Sequence, residues 1–446
     1  MLDKMIGKLA FLLWDTKEGG VRLAEYQHLK RLENAPTTKL IDHQSTRLRE
    51  LLIHANLTSP WYSKQFKTYN LDLNATNIIK ELQKLPITTK SDIRENTDQF
   101  ISTAFPKATL NQAKTGGSTG VSLNLYFDEK CQQFRNAAQM YADNLAQWEI
   151  GDKVAAVWGN PPIAKTLKEK IRSYLLERTI YLDTMDLNSD SMNHFASEWK
   201  KFNPTVIFGH SHSIYVFAKF LLENNIQALR PRGIVTTSMM LLDSERKIIE
   251  EAFACAVTNR YGCEEVGLIG VECEKHEGMH LNTAHLFIEC LDENNTPVDP
   301  GTPGKIVITD FNNLAMPLLR YRVEDVGVLS THACSCGRTT PLLERLEGRV
   351  ADFLKKADGG QVAGVSLVER TLTKIPGIEQ MQLVQEDLHK IMINRVKGSE
   401  FNSETDRLLL EEFRLVFDAN VEIIINDVNK IPQEKSGKYR FSICKI

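Results

Sequence analysis

Between residues 153 and 238 the chain reads KVAAVWG (153–159), IRSYLL (171–176), TIYLD (179–183), TVIFGH (205–210), IYVFAKFLL (214–222) and GIVTTS (233–238). Short apolar runs that close on Gly, Ser or Thr suit strands buried on both faces of a largely parallel sheet, and the longer runs between them suit covering helices. This stretch predicts an α/β body. Upstream, residues 1–100 read as helices joined by polar turns: in LRELLIHANLTSPWY, Leu48, Leu51, Leu52 and Ala55 recur at helical spacing before the Ser59-Pro60 break. A further helix is expected from residue 129, with Phe134, Ala138, Tyr141 and Leu145 on one face. Downstream, HLFIECLDENNTPVDPGTPGKIVITD (285–310) has the alternation and the Gly and Pro turns of hairpins. After Gly348 the pattern changes to helix, two strands, helix and strand, a small α+β unit. The expected layout is a large N-terminal domain over 1–348, with parallel sheets and a hairpin-rich subdomain, and a small C-terminal domain over 349–446.

At 446 residues, 42% hydrophobic and 25% charged, the chain has enough apolar content for more than one core. A formal net charge of −3 provides no global basic field, so neither nucleic acid nor a membrane is expected as partner. No apolar run is as long as a membrane span, and the start, MLDKMIGKLAFLLWDTKEGG, has too short an apolar core for a leader. A cytoplasmic protein is expected, in which eight cysteines are free thiols or metal ligands.

Four motifs carry chemistry. Thr115-Gly116-Gly117-Ser118-Thr119-Gly120 can bring backbone N–H groups and hydroxyls close to an oxyanion, although a polar turn has the same composition. No Lys follows Gly120, so this is not a Walker loop. Tyr261-Gly262-Cys263-Glu264-Glu265 places a carboxylate after a strand, where it can hold Mg²⁺, and an aromatic that can stack on a base; the alternative is a turn with solvated acids. Arg320 to Asp325 ends in a carboxylate suited to two vicinal ribose hydroxyls, or is a surface charge cluster. Near the end, KSGKYR offers Lys438 on a Gly turn as a cation for a reacting phosphate, or is a basic tail.

In order and spacing these four motifs resemble the adenylate-forming superfamily of acyl-coenzyme A synthetases, nonribosomal peptide adenylation domains and luciferase. The likeness is greatest to phenylacetate-coenzyme A ligases and the related capsule-biosynthesis branch, and it spans nearly the whole chain. The resemblance implies that residues 115–120 form the phosphate loop, Tyr261 to Glu265 the Tyr-Gly-x-Thr-Glu motif, Asp325 the ribose ligand, Gly348-Arg349 the interdomain signature and Lys438 the adenylation lysine. Two positions depart from it: Glu264 stands where the family keeps Thr, and Ala351 where its hinge keeps the first acid, with Asp352 next to it.

Cys273 and His280, followed by Cys334 and Cys336, make up a donor set that closes a tetrahedral Zn²⁺ site; unligated thiols are the alternative, and His276 is the rival imidazole. Proteins of the capsule branch carry a similar Cys-x₆-His and Cys-x-Cys, which implies a structural zinc. Of the other cysteines, Cys255 and Cys290 are expected in the core.

The resemblance further implies a ligase using ATP and Mg²⁺, in which Glu265 holds the metal and Lys438 steadies the α-phosphate. A small carboxylic acid, aryl or amino-substituted, would sit by Trp158, His210 and Ser238. The acceptor would be coenzyme A, a carrier-protein thiol or an amine. A catalytically silent nucleotide-binding homologue is the alternative, and a homodimer is compatible with either.

Overall fold

The computed structural model describes residues 2–114, 123–158, 166–184, 187–349, 353–357, 361–417, 420–432 and 440–446. Its first strands, β1 (Asn111–Lys114) and β2 (Asn124–Phe127), pair antiparallel, so a returning strand separates residues 115–122 from the helix Glu129–Leu145. The stretch 153–238 forms β3 (Val154–Trp158), β4 (Thr179–Asp183), β5 (Val206–His210) and β6 (Gly233–Thr237), all parallel as expected. β7 (Val257–Cys263) joins them in parallel and then pairs antiparallel with β8 (Gly267–Glu272).

From there β9 (Met279–Leu281), β10 (Leu286–Leu291), β11 (Pro303–Asp310), β12 (Tyr321–Leu329) and β13 (Leu342–Arg349) continue the same sheet, in the order β10-β11-β12-β13-β9-β8-β7-β6-β5-β3-β4. The hairpin-rich region is therefore not a separate sheet. The register shifts between Tyr261 and Gly262, and a Cβ on Gly262 would lie 2.6 Å from the Gly267 carbonyl oxygen. Only glycine admits so close a turn of strand on strand.

Two cores hold this body. The N-terminal helices bury Leu48, Leu51, Leu52, Ala55, Tyr62 and Phe100 against Ile306, Ile308 and Tyr321 of the antiparallel half. Phe217, Trp199 and Phe253 pack with Ile207 and Ile234 of the parallel half. Cys290 is buried as expected, whereas Cys255 is only half-buried.

The C-terminal unit begins with β14 (Phe353–Lys355) and β15 (Gln361–Ala363). Its sheet is built from β16 (Ile378–Asp387), β17 (Lys390–Lys397), β18 (Glu422–Asp427) and β19 (Ser442–Cys444) in the order β18-β17-β16-β19. Leu367 and Val368 of the helix Gly364–Lys374, with Leu409 and Phe413 of the helix Ser403–Val416, share its core with Leu383, Ile391 and Ile393. Lys219 of the body is 2.8 Å from Glu379 of this unit. No described helix is long and apolar enough to cross a membrane.

Candidate active site and metal centre

β7 ends in the turn that presents Glu265, and β12 runs past it. The Tyr321 hydroxyl donates to Glu265 Oε1 at 3.0 Å, and Lys90 Nζ lies 3.5 Å from the same oxygen. Lys90 opens the helix Lys90–Glu95, whose start is fixed by a capping box between Thr89 and Asp92. Thr88 bridges to Tyr321, exchanging backbone bonds with Arg320 and Arg322, and so ties the lysine to β12. On the other side of the turn, the Arg135 guanidinium donates to the carbonyl oxygens of Glu264 and Glu265 at 3.2 and 2.6 Å. Burial first, then the Glu265 charge, pushes the Tyr321 hydroxyl far above its ordinary pKa, so it stays a donor to the carboxylate.

The Tyr261 hydroxyl donates to Asp325 Oδ2 at 2.6 Å. Asp325 in turn stands opposite Arg349 in the β12–β13 register. Tyr261, Glu265, Asp325 and the backbone of Arg349 thus converge from three strands and one turn. Next to them, β3, β5 and β6 end at Trp158, His210 and Thr237, with Ser238 following at φ +67°. In open α/β sheets ligands bind beyond the carboxyl ends of the strands, which is where these residues lie. Trp158 stacks on Phe208 with ring centres 5.1 Å apart, and the buried His210 ring is 4.1 Å from that of Trp158.

The four expected metal donors come together. Their ligand atoms all lie within 4.8 Å of one another, with Cys273 Sγ 3.6 Å from Cys334 Sγ and Cys336 Sγ 3.3 Å from His280 Nε2. Zn–S bonds of about 2.3 Å place the corners of a zinc tetrahedron roughly 3.8 Å apart, so the donor set fits that metal. His280 Nδ1 meets the Thr340 hydroxyl at 2.9 Å, leaving Nε2 toward the sulfurs. The His276 ring turns away to Glu272 at 3.3 Å. Burial, with the nearby Arg338 charge, lowers the His280 pKa and favours the neutral, ligating imidazole.

Comparison with known proteins accords with this geometry. Residues 354–445 match the family described as the CapK C-terminal domain. Along the whole chain, Protein CapK of Staphylococcus aureus is 27% identical over 426 residues, covering 94% of this chain and 92% of that protein. The phenylacetate-coenzyme A ligase of Thermus thermophilus is 24% identical over 376 residues, covering 78% of each. Among solved structures, 2-hydroxyisobutyryl-CoA ligase in its postadenylation state, in complex with an acyl-AMP, superposes with a TM-score of 0.74 at 16% identity, over 93% of this chain and 92% of that one. The fold is that of the adenylate-forming ligases.

Within that adenylate-forming fold, the sequence-derived positions Trp158, His210 and Ser238 stand at the carboxyl ends of β3, β5 and β6, Tyr261, Gly262 and Asp325 lie within β7 and β12, and Glu265 lies in the turn after β7. Arg349 is described by its backbone alone, in β13. Thr115 to Gly120, Ala351, Asp352 and Lys438 lie outside the described residues. Sequence reasoning missed Lys90, Tyr321 and Arg135. For Lys90 a signal existed: Thr89-x-x-Asp92 is a capping pattern that puts the lysine at a helix start.

Proposed function

We propose that this chain activates a small carboxylic acid with ATP, forming an acyl adenylate and pyrophosphate, and then passes the acyl group to the thiol of coenzyme A. The supporting observation is the 2.6 Å Tyr261–Asp325 hydrogen bond beside the Glu265 turn, which brings an aromatic ring and a carboxylate together where a nucleoside would need them. The likeness to coenzyme A ligases, over 78% of the chain in sequence and 93% in structure, adds to it.

In this reading Asp325 accepts from the ribose hydroxyls and Tyr261 lies against the base. Residues 115–120 supply N–H and hydroxyl donors to the β- and γ-phosphates. Glu265 offers one hard carboxylate oxygen, as Mg²⁺ bound mainly to phosphates requires. When bound, Mg²⁺ offsets charge on the departing pyrophosphate. As the carboxylate oxygen bonds to the α-phosphorus and the bond to the pyrophosphate oxygen breaks, Lys438 neutralises the charge between them. The C-terminal unit then turns about 349–352, where Asp352 stands in for the acid that Ala351 lacks, and admits the acceptor. The acid sits against Trp158, His210 and Ser238, which suit a flat aryl or amino-substituted acid. Cys273, His280, Cys334 and Cys336 hold a structural zinc with no open position for substrate.

The test is ATP–pyrophosphate exchange across aryl, fatty and amino acids, followed by product formation with coenzyme A, a phosphopantetheinyl carrier or an amine as acceptor. Exchange with at least one acid and thioester formation with coenzyme A are expected. Absence of exchange with every acid would leave the silent nucleotide-binding homologue as the reading.

A further inference from the structure

We propose that the N-terminal helix Leu2–Lys17 and its neighbour Leu167–Arg172 form a peripheral docking surface for an anionic lipid bilayer. A helix on the surface of a globular body ordinarily turns its apolar stripe inward. Here the order is reversed. Gly7 and Asp15 are buried, while Leu2, Met5, Ile6, Leu9 and Leu13 are 45–73% exposed and follow one another at helical spacing along the outer face.

The inward face is held by charge and close approach as well as by Phe11, which is half-buried and packs against the cluster of Tyr26, Ala137 and Met140. Asp3 pairs with Lys153 at 2.8 Å and Arg178 at 2.7 Å, Lys4 with Asp152 at 2.9 Å, and Asp15 with Arg22 at 3.0 Å. A Cβ on Gly7 would fall 2.7 Å from Arg178 Cδ. These contacts fix which side faces the body, and the five apolar side chains are left outward.

The second helix continues the surface. Leu167 and Ile171, with Tyr174 in the π-helical turn Ser173–Glu177 that follows directly, recur at spacings of four and three and are 51–74% exposed. Arg172 lies over the Trp14 ring at 5.4 Å, so the two segments are neighbours. Eight of the fifteen large apolar side chains exposed among the described residues therefore fall on these two segments.

Charge selects the occupant. On the helical wheel Lys8 and Lys17 flank the stripe on either side, both exposed, and Lys168, Lys170 and Arg172 are exposed on the second helix. The acids interspersed with them are largely engaged: Asp3 and Asp15 in the pairs above, Glu169 in a capping box with Thr166. An apolar stripe bordered by lysines is the pattern of a helix lying in a membrane interface, its basic side chains among anionic headgroups. The stripe from Leu2 to Leu13 is about 17 Å long by the rise per residue and the whole helix about 24 Å, both short of the ~30 Å hydrocarbon core, so the helix lies on the bilayer and does not cross it. A second copy of the chain fits less well. A stripe of roughly 17 by 10 Å is well below the ~800 Å² per partner of a stable dimer, and a twofold would bring like charges together. The expectation of no membrane partner rests on net charge and on the lack of a spanning run, and neither bears on a helix lying flat.

The test is cosedimentation of the full chain with vesicles of phosphatidylcholine containing phosphatidylglycerol, with phosphatidylcholine alone, and without vesicles. Parent, Leu9→Glu/Leu13→Glu and Lys8→Glu/Lys17→Glu are compared, with circular dichroism showing that each is folded. Binding to the anionic vesicles is expected, weaker by about tenfold or more on neutral vesicles and in each double variant. Sedimentation no greater than without vesicles overturns the proposal, as does an apolar double variant that binds like the parent. A parent dimer that Leu9→Glu/Leu13→Glu dissociates, with no vesicle binding, overturns it in favour of self-association.

Discussion

Glu265 is where the proposed nucleotide chemistry is most sharply testable, because one of its oxygens meets both the Tyr321 hydroxyl and the Lys90 ammonium. Glu265→Gln keeps the shape and an acceptor for Tyr321 but removes the charge. It is expected to raise the Mg²⁺ concentration needed for half-maximal pyrophosphate exchange by tenfold or more, on the order of one lost charged contact. Lys90→Ala leaves the carboxylate without its cation and is expected to slow exchange by roughly ten- to a hundredfold; a rate equal to the parent's would show that the pair lies outside the reaction. Lys438→Ala should cost about a hundredfold or more in the same assay, with thioester formation from a supplied acyl adenylate unaffected. Glu265 and Asp325 were legible because each belongs to a compact local motif, the one in the turn after β7 and the other within β12. The parts of Lys90 and Tyr321 were not: the capping pattern puts Lys90 at a helix start and Tyr321 lies in the Arg320–Asp325 motif, but their meeting at Glu265 depends on the Thr88–Tyr321 bridge, a contact between distant parts of the chain.

At the scale of elements, the cysteine cluster joins two strands that meet only briefly: β13 pairs with β9 through Leu342–His280 and Leu343–Met279. A metal held by Cys273, His280, Cys334 and Cys336 would pin this short junction. Cys334→Ser is expected to abolish one equivalent of zinc measured by metal analysis and to lower Tm by about 3 °C, taking the loss as about 2 kcal/mol in a domain of this size. The N-terminal helix makes a different prediction. The hydrogen bond from Lys153, then that from Arg178, holds the Asp3 carboxyl below its ordinary pKa. A lowered carboxylate contributes stability that is present above its unfolded value, about 3.9, and is lost as pH falls through the lower folded one. Asp3→Asn should therefore lower Tm at neutral pH, by the equivalent of about 0.5 kcal/mol, and the gap from the parent should close below about pH 4. Existence of the helix is legible in its apolar repeat, but its orientation is not. The repeat alone would turn Leu2, Leu9 and Leu13 inward, and the anchors Asp3, Lys4, Gly7 and Asp15, with the packing of Phe11, determine otherwise.

At the scale of the molecule, the parallel half was legible because strands buried on both faces leave continuous apolar runs, as Val154–Trp158 and Gly233–Thr237 do. That the hairpins extend the same sheet was not, since β7 changes partner within one strand at the Tyr261–Gly262 register shift. The disposition of the two units is tested at their contact. Lys219 Nζ meets Glu379 Oε1 at 2.8 Å, and Gln380 Nε2 approaches His212 Nε2 at 3.5 Å. If this ion pair belongs to the arrangement that serves adenylation, Lys219→Glu should slow pyrophosphate exchange and spare thioester formation from a supplied adenylate. Both side chains are about one-third exposed, so the effect is modest, about two- to fivefold for a pair worth 0.5–1 kcal/mol. The charge swap Lys219→Glu/Glu379→Lys should then restore exchange, because the attraction depends on opposite signs and not on which unit carries which. Equal slowing of both half-reactions, or no rescue by the swap, would mean that the contact steadies the fold without selecting a state.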